Sequence, residues 1–187
     1  LVEGLDGDVH TLDGSSYSFK GDTTCLTVEE RGQQENVNML TDAVEQVYSY
    51  VSQNTRKTLV IVDEARVLLN DEDGRQVLNQ FVLEGRDTNT AVTLITQNAS
   101  HFTHCREGRE ILDNMPGKVF MRHDRVPDDV VDYFGLSQRE KQELFELRTG
   151  TDAPYSEALL HVSGRIKTRL RIESTDREHD LIAGGEQ

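Results

Sequence analysis

Leu59-Val60-Ile61-Val62-Asp63-Glu64-Ala65 is an unbroken apolar run that ends abruptly in two neighbouring carboxylates. A β-branched stretch without polar alternation predicts a strand covered on both faces, as in the parallel sheet of an α/β protein. Ionised Asp63 and Glu64 are too costly to hold inside such a sheet. They belong at its carboxyl edge, where open α/β sheets bind ligands. Adjacent residues at a strand end point in different directions, so the two acids can face two different tasks. A buried strand running into a solvated acidic turn is the plain alternative.

Upstream of this strand, Val37, Leu40, Val44, Val47, Tyr48 and Val51 recur at three- and four-residue intervals, which predicts an amphipathic helix over residues 35–55. Arg56 and Lys57 suit the carboxyl end of that helix. Cys25-Leu26-Thr27-Val28 reads as a short strand before it, completing a right-handed βαβ unit. Residues 1–22, with clustered Gly, Asp and Ser, read as an irregular N-terminal segment, loop or paired hairpin.

Downstream, Val67, Leu68 and Leu69 make a short helical turn, and the acids of 70–73 can cap a helix whose stripe is Val77, Leu78, Phe81 and Val82. A second apolar run, Ala91 to Thr96, leads to Gln97, another strand with a polar end. A helix over 106–114, a stop at Pro116-Gly117, a strand over 118–121 and helical pieces over 128–134 and 137–147 continue the alternation. Residues 156–162 and 165–172 read as an antiparallel strand pair turning at Ser163-Gly164, and 174–187 as a flexible tail.

The chain has 187 residues, enough for one α/β domain, which is placed over 23–173. It opens on Leu1, carries no apolar stretch of spanning length and shows no signal-peptide pattern, so it reads as a soluble, cytoplasmic piece of a longer protein. Cys25 and Cys105 read as free thiols of a reducing interior. Acids outnumber bases, 34 against 20, for a net charge of −14. Lysine occurs only at positions 20, 57, 118, 141 and 167. This composition is similar to that of salt-loving archaea, where strong salt screens the repulsion of an acidic shell. It argues against a general nucleic-acid-binding surface.

Three other constellations carry no chemistry. His101, His104 and Cys105 lie within five residues, yet no fourth metal ligand accompanies them. Asp128, Asp129 and Asp132 lack the glycine-containing loop of a calcium site. No Ser, His and Asp set stands in a nucleophile-elbow context.

The acidic strand end is followed by Glu84-Gly85-Arg86-Asp87-Thr88-Asn89-Thr90 and then by Val92-Thr93-Leu94-Ile95-Thr96-Gln97-Asn98. In that order and spacing the sequence resembles the carboxyl-terminal ATPase domain of conjugative-transfer and type IV secretion ATPases, the TraC, TrbE and TrsE-like proteins of the HerA and FtsK superfamily. Lys118 to Met121 and Tyr133 to Glu140 extend the resemblance, which runs from Thr23 to Ile172. It implies a three-layer, RecA-like P-loop NTPase core with a mainly parallel sheet, truncated on its N-terminal side, plus the C-terminal antiparallel pair.

By the same resemblance residues 59–64 are a Walker B strand. Asp63 binds Mg²⁺ through water, Glu64 orients and deprotonates the attacking water, and Gln97 senses water or γ-phosphate. Arg86 is the candidate arginine finger, with Arg122 and Arg125 behind it. The cofactors implied are ATP and Mg²⁺, and no side chain is assigned as a direct metal ligand. The implied partners are further subunits of a hexamer, a membrane-associated transfer apparatus at the inner face of the cell membrane, and DNA in the central channel. One departure stands out: no Gly-x-x-x-x-Gly-Lys-[Ser/Thr] is present, since Gly117-Lys118 leads into Val119 and lacks the upstream glycine. The segment alone is therefore expected to be inactive. A DNA-pumping ATPase of the same superfamily and a non-catalytic assembly module are the alternative readings.

Overall fold

The computed structural model describes residues 7–11, 13, 16–17, 19, 22–27, 33–150, 153–162, 166–176 and 178. They group into two compact units, Leu1–Asn114 and Met115–Gln187.

In the first unit β1 (Gly7–Thr11) and β2 (Thr23–Thr27) form a parallel pair. A strand therefore stands where the composition suggests loop or hairpin, and its partner runs parallel rather than turning back. Helix α1 (Gln33–Ser52) follows. Its Val37, Ala43, Val44 and Val51 are buried, and Met39 with Ala43 packs against Tyr17 and Leu26. Ser52 Oγ and Asn54 Nδ2 donate to the carbonyls of Tyr48 and Tyr50, closing the helix before Arg56 is reached. Arg56 instead pairs with Asp22 at 3.0 Å.

Strand β3 (Thr58–Val62) lies parallel to β4 (Thr90–Leu94), with Val60 opposite Val92 and Val62 opposite Leu94. Between them run α2 (Arg66–Leu69) and α3 (Glu72–Glu84). The parallel partner of β3 is thus β4, while β2 pairs with β1. Asp71 caps α3 by accepting from the Gly74 amide at 3.1 Å, and Leu78 and Phe81 are its buried apolar side chains, with Val77 and Val82 half-buried. Gly74 brings α3 onto α2: a Cβ there would stand 2.6 Å from the Leu68 carbonyl oxygen. After β4 come α4 (Ser100–Thr103), which the apolar pattern did not announce, and α5 (Arg106–Asn114), joined by a similar contact of Gly108 on Phe102.

Strand β3 is covered on one face, not on the two that its apolar run suggests. Burial alternates along β3, so that Val60 and Val62 are half-buried while Leu59 is 62% and Ile61 58% exposed. Gly85, at the end of α3, lies close to Val92 on the covered side. An uninterrupted apolar run cannot distinguish one-sided from two-sided cover, because both faces read alike.

The second unit is an antiparallel sheet in the order β5 (Gly117–Phe120), β6 (Ser156–Val162), β7 (Ile166–Ile172), with helices α6 (Asp128–Phe134) and α7 (Gln138–Glu146) between β5 and β6. The expected pair is a trio, with the strand read over 118–121 joining its edge antiparallel to β6. Gly135 ends α6 in the left-handed conformation at φ 56°, and a Ser137–Glu140 capping box begins α7. Phe120, Val130, Phe134, Leu144, Leu147, Ala158 and Leu159 are among the buried apolar residues around which this unit closes. The turn expected at Ser163-Gly164, Val28, and most of the segment beyond Ser174 lie outside the described residues.

Candidate functional site

The carboxyl edge of the β3–β4 pair is where two chain segments are tied together. Past the regular ladder, the Ile95 amide donates to the Val62 carbonyl and the Ala65 amide to the Ile95 carbonyl, each at 2.9 Å. Ala65 is completely buried there. This clamp forces the intervening residues out of the sheet plane. Glu64 adopts φ 53°, a left-handed conformation uncommon outside glycine, and its amide is met by Asp63 Oδ1 at 2.8 Å.

The result is a carboxylate facing the end of the neighbouring strand. Gln97 Nε2 donates to Glu64 Oε1 at 2.5 Å. Glu64 Oε2 lies 3.1 Å from Arg66 Nε, in an ion pair without the alignment of a hydrogen bond. Behind Gln97, Thr96 Oγ1 and His101 Nδ1 are 2.7 Å apart. His101 is held below its ordinary pKa, first by burial and then by the positive charge of Arg66 and His104, with Glu64 acting in the opposite direction. A partly shielded carboxylate, an amide that donates to it and a neutral imidazole nearby can hold a water molecule and accept a proton from it.

The structure therefore brings Glu64 and Gln97 together and sets exposed Asp63 beside them at the sheet edge. It does not bring Arg86 there. Arg86 is exposed beyond the end of α3 and precedes the start of β4, so it lies at the opposite end of the parallel pair, roughly 16 Å away by strand rise. Arg122 and Arg125 are exposed in the second unit, after β5. Arg66, Thr96 and His101, which the sequence does not single out for this edge, are brought to it by the fold. Asn98 carried the available signal: its side-chain oxygen accepts from the Ser100 amide at 2.9 Å, an Asx turn that folds His101 back onto Thr96.

Asp63 fits a magnesium shell reached through water, being exposed with Oδ2 uncommitted among the described residues. No group of three or more His, Cys, Asp or Glu side chains able to hold a metal ion converges among the described residues. Nor is any described helix long and apolar enough to cross a membrane.

A search of solved structures finds VirB4 of Thermoanaerobacter pseudethanolicus, at 20% identity and a TM-score of 0.72, aligned over 87% of this chain and 44% of that one. The chain thus spans less than half the length of this relative, with which it shares a RecA-like α/β fold. No curated protein matches the chain. The sequence profile of the AAA-like domain family matches residues 23–152, which include both strands of the clamped edge with Asp63, Glu64 and Gln97. With the fold and the profile in agreement, the chain belongs to the AAA-like domain family.

Proposed function

We propose that this chain is the carboxyl-terminal part of a conjugative-transfer or type IV secretion motor ATPase, with the ATPase-domain portion at 23–173, between a preceding segment 1–22 and a tail 174–187. The observation that carries the reading is the Gln97–Glu64 hydrogen bond at the carboxyl edge of two parallel strands. The VirB4-like fold and the AAA-like profile support it. ATP is the substrate, and Mg²⁺, when bound, neutralises charge on its phosphates.

Within this reading Asp63 holds a water of the magnesium shell. Glu64 takes a proton from the attacking water. Gln97 donates to Glu64 and orients the water between them, since an amide can donate and accept without bearing charge. Because Arg86 lies at the far end of the strands, it acts on the site of a neighbouring subunit, as an arginine finger in a hexamer. A membrane-associated transfer apparatus, with DNA or protein as cargo, completes the proposal. As no phosphate-cradling loop of the Gly-x-x-x-x-Gly-Lys type occurs in this sequence, turnover is proposed for a longer parent chain and not for the segment alone.

The test is ATP turnover by the parent chain with and without Glu64→Gln. Removing a general base is expected to lower kcat by about 10²- to 10⁴-fold. Unchanged turnover removes Glu64 from the mechanism. In mixed assemblies, Arg86→Ala subunits, whose own Glu64 is intact, should regain activity beside Glu64→Gln subunits that supply the arginine. No recovery refutes the trans role.

A further inference from the structure

Behind the Glu64–Gln97 contact lies a second constraint. The chain leaves the clamp at Ile95, whose amide and carbonyl are both bonded, and passes through Thr96 to Gln97. Gln97 is exposed, and its flexible side chain can aim at Glu64 only if the backbone beneath it is held. That hold comes from the far side of a short loop. Thr96 and His101 are both half-buried, with Oγ1 and Nδ1 at 2.7 Å. His101 is itself anchored, its amide donating to the Asn98 carbonyl at 3.2 Å while Asn98 Oδ1 accepts from Ser100.

We propose that His101 is a positioning residue for the activation of water at this edge: by holding the Thr96 hydroxyl it fixes the backbone from which Gln97 reaches Glu64. The inference rests on the reading that Glu64 activates water for ATP hydrolysis. A neutral imidazole with its proton on Nε2 accepts the Thr96 hydroxyl at Nδ1. The charged groups that act on it are Arg66 from α2, His104 at the end cap of α4 and Glu64 from the turn after β3. Burial together with the two neighbouring bases keeps the ring neutral near pH 7. A protonated ring would have to donate at Nδ1, and would add a cation that competes with Gln97 for Glu64.

Asparagine and glutamine separate this role from simple packing. An Asn amide reaches about as far as Nδ1 of histidine, whereas Gln extends toward the position of Nε2, and neither titrates. In the parent chain, His101→Gln, His101→Leu and Thr96→Val are each expected to lower kcat about tenfold, the scale of one misaligned hydrogen bond, with KM for ATP changed less than twofold. His101→Asn should restore most of kcat and remove the loss of rate below pH 6.5 that a titrating His101 produces. Adding Thr96→Val to His101→Leu should cost nothing further, because both break the same bond.

If Glu64→Gln abolishes turnover while the Gln and Leu variants keep full kcat, His101 has no positioning role. An equal fall in the Asn and Gln variants, or a rise in KM at constant kcat, refutes it as well. Should Glu64→Gln itself leave turnover intact, the reading of Glu64 beneath the inference has failed instead. If the Leu variant does not fold, the comparison of Asn with Gln decides.

Discussion

Glu64 and Gln97, 33 residues apart in sequence, meet through a hydrogen bond between a carboxylate in left-handed conformation and the amide at the end of the adjacent parallel strand. The contact exists because Ile95 is bonded on both sides by Val62 and Ala65, which locks the register of the two strand ends. A carboxylate at a free strand end would be solvated and mobile. Here the paired backbone determines its neighbour, and a conformation costing of the order of 1–3 kcal/mol is maintained by the fold around it.

Alanine at Gly108 should destabilise the first unit, although alanine normally favours a helix over glycine by about 1 kcal/mol. Its Cβ would sit 2.3 Å from the Phe102 carbonyl oxygen, a backbone atom that cannot rotate away. Overpacking of this kind costs roughly 1–3 kcal/mol or more, so the clash outweighs the propensity. The melting temperature of Gly108→Ala should fall by several degrees. Gly117→Ala, whose Cβ would meet nothing within 4 Å, should change it little. Equal behaviour of the two variants would show that α4 and α5 do not pack this closely.

Acid should weaken the fold in two stages. His101 and His161 are both held below the ordinary histidine pKa of 6.5, first by burial; Lys167 and Lys118 then act on His161, against the pull of Glu140. Below pH 6.5 the unfolded chain therefore binds protons that the folded chain does not, and stability drops until the folded histidines also charge. Burial opposes ionisation of Glu140, but the Ser137 amide and hydroxyl and the Lys167 ammonium outweigh it and hold its carboxyl below 4.5. Its contribution is present above that pH and is lost as pH falls further. Denaturant midpoints between pH 8 and 3 should fall from about 6.5 downward, with a second loss below about 4.5. His161→Gln should blunt the first stage, and a first stage unaltered by that change would deny His161 a part in it.

Added salt should raise stability. We propose that the acidic surface is salt-adapted: at a net charge of −14 the folded chain repels itself, and near 1 M salt the Debye length contracts to about 3 Å. The melting temperature should climb as KCl is raised from 0.1 to 2 M. A flat or falling curve would leave the composition as that of an ordinary acidic protein.

The sequence alone determined the elements that depend on local periodicity and end chemistry. The stripe from Val37 to Val51 specified α1, the acids of 70–73 offered a cap for α3, and the acids after Val62 marked the end of β3. Each is written within a few neighbouring residues, so no distant partner is needed to read it. The tertiary structure alone decided pairings between distant segments: β1 beside β2 in parallel, β5 at the edge of the antiparallel trio, one covered face of β3 instead of two, and Arg86 far from Glu64. Thr96 and His101 belong with these, since a hydroxyl and an imidazole five residues apart meet only when an intervening turn closes. Such contacts depend on register and chain path, which side-chain order along one segment does not encode.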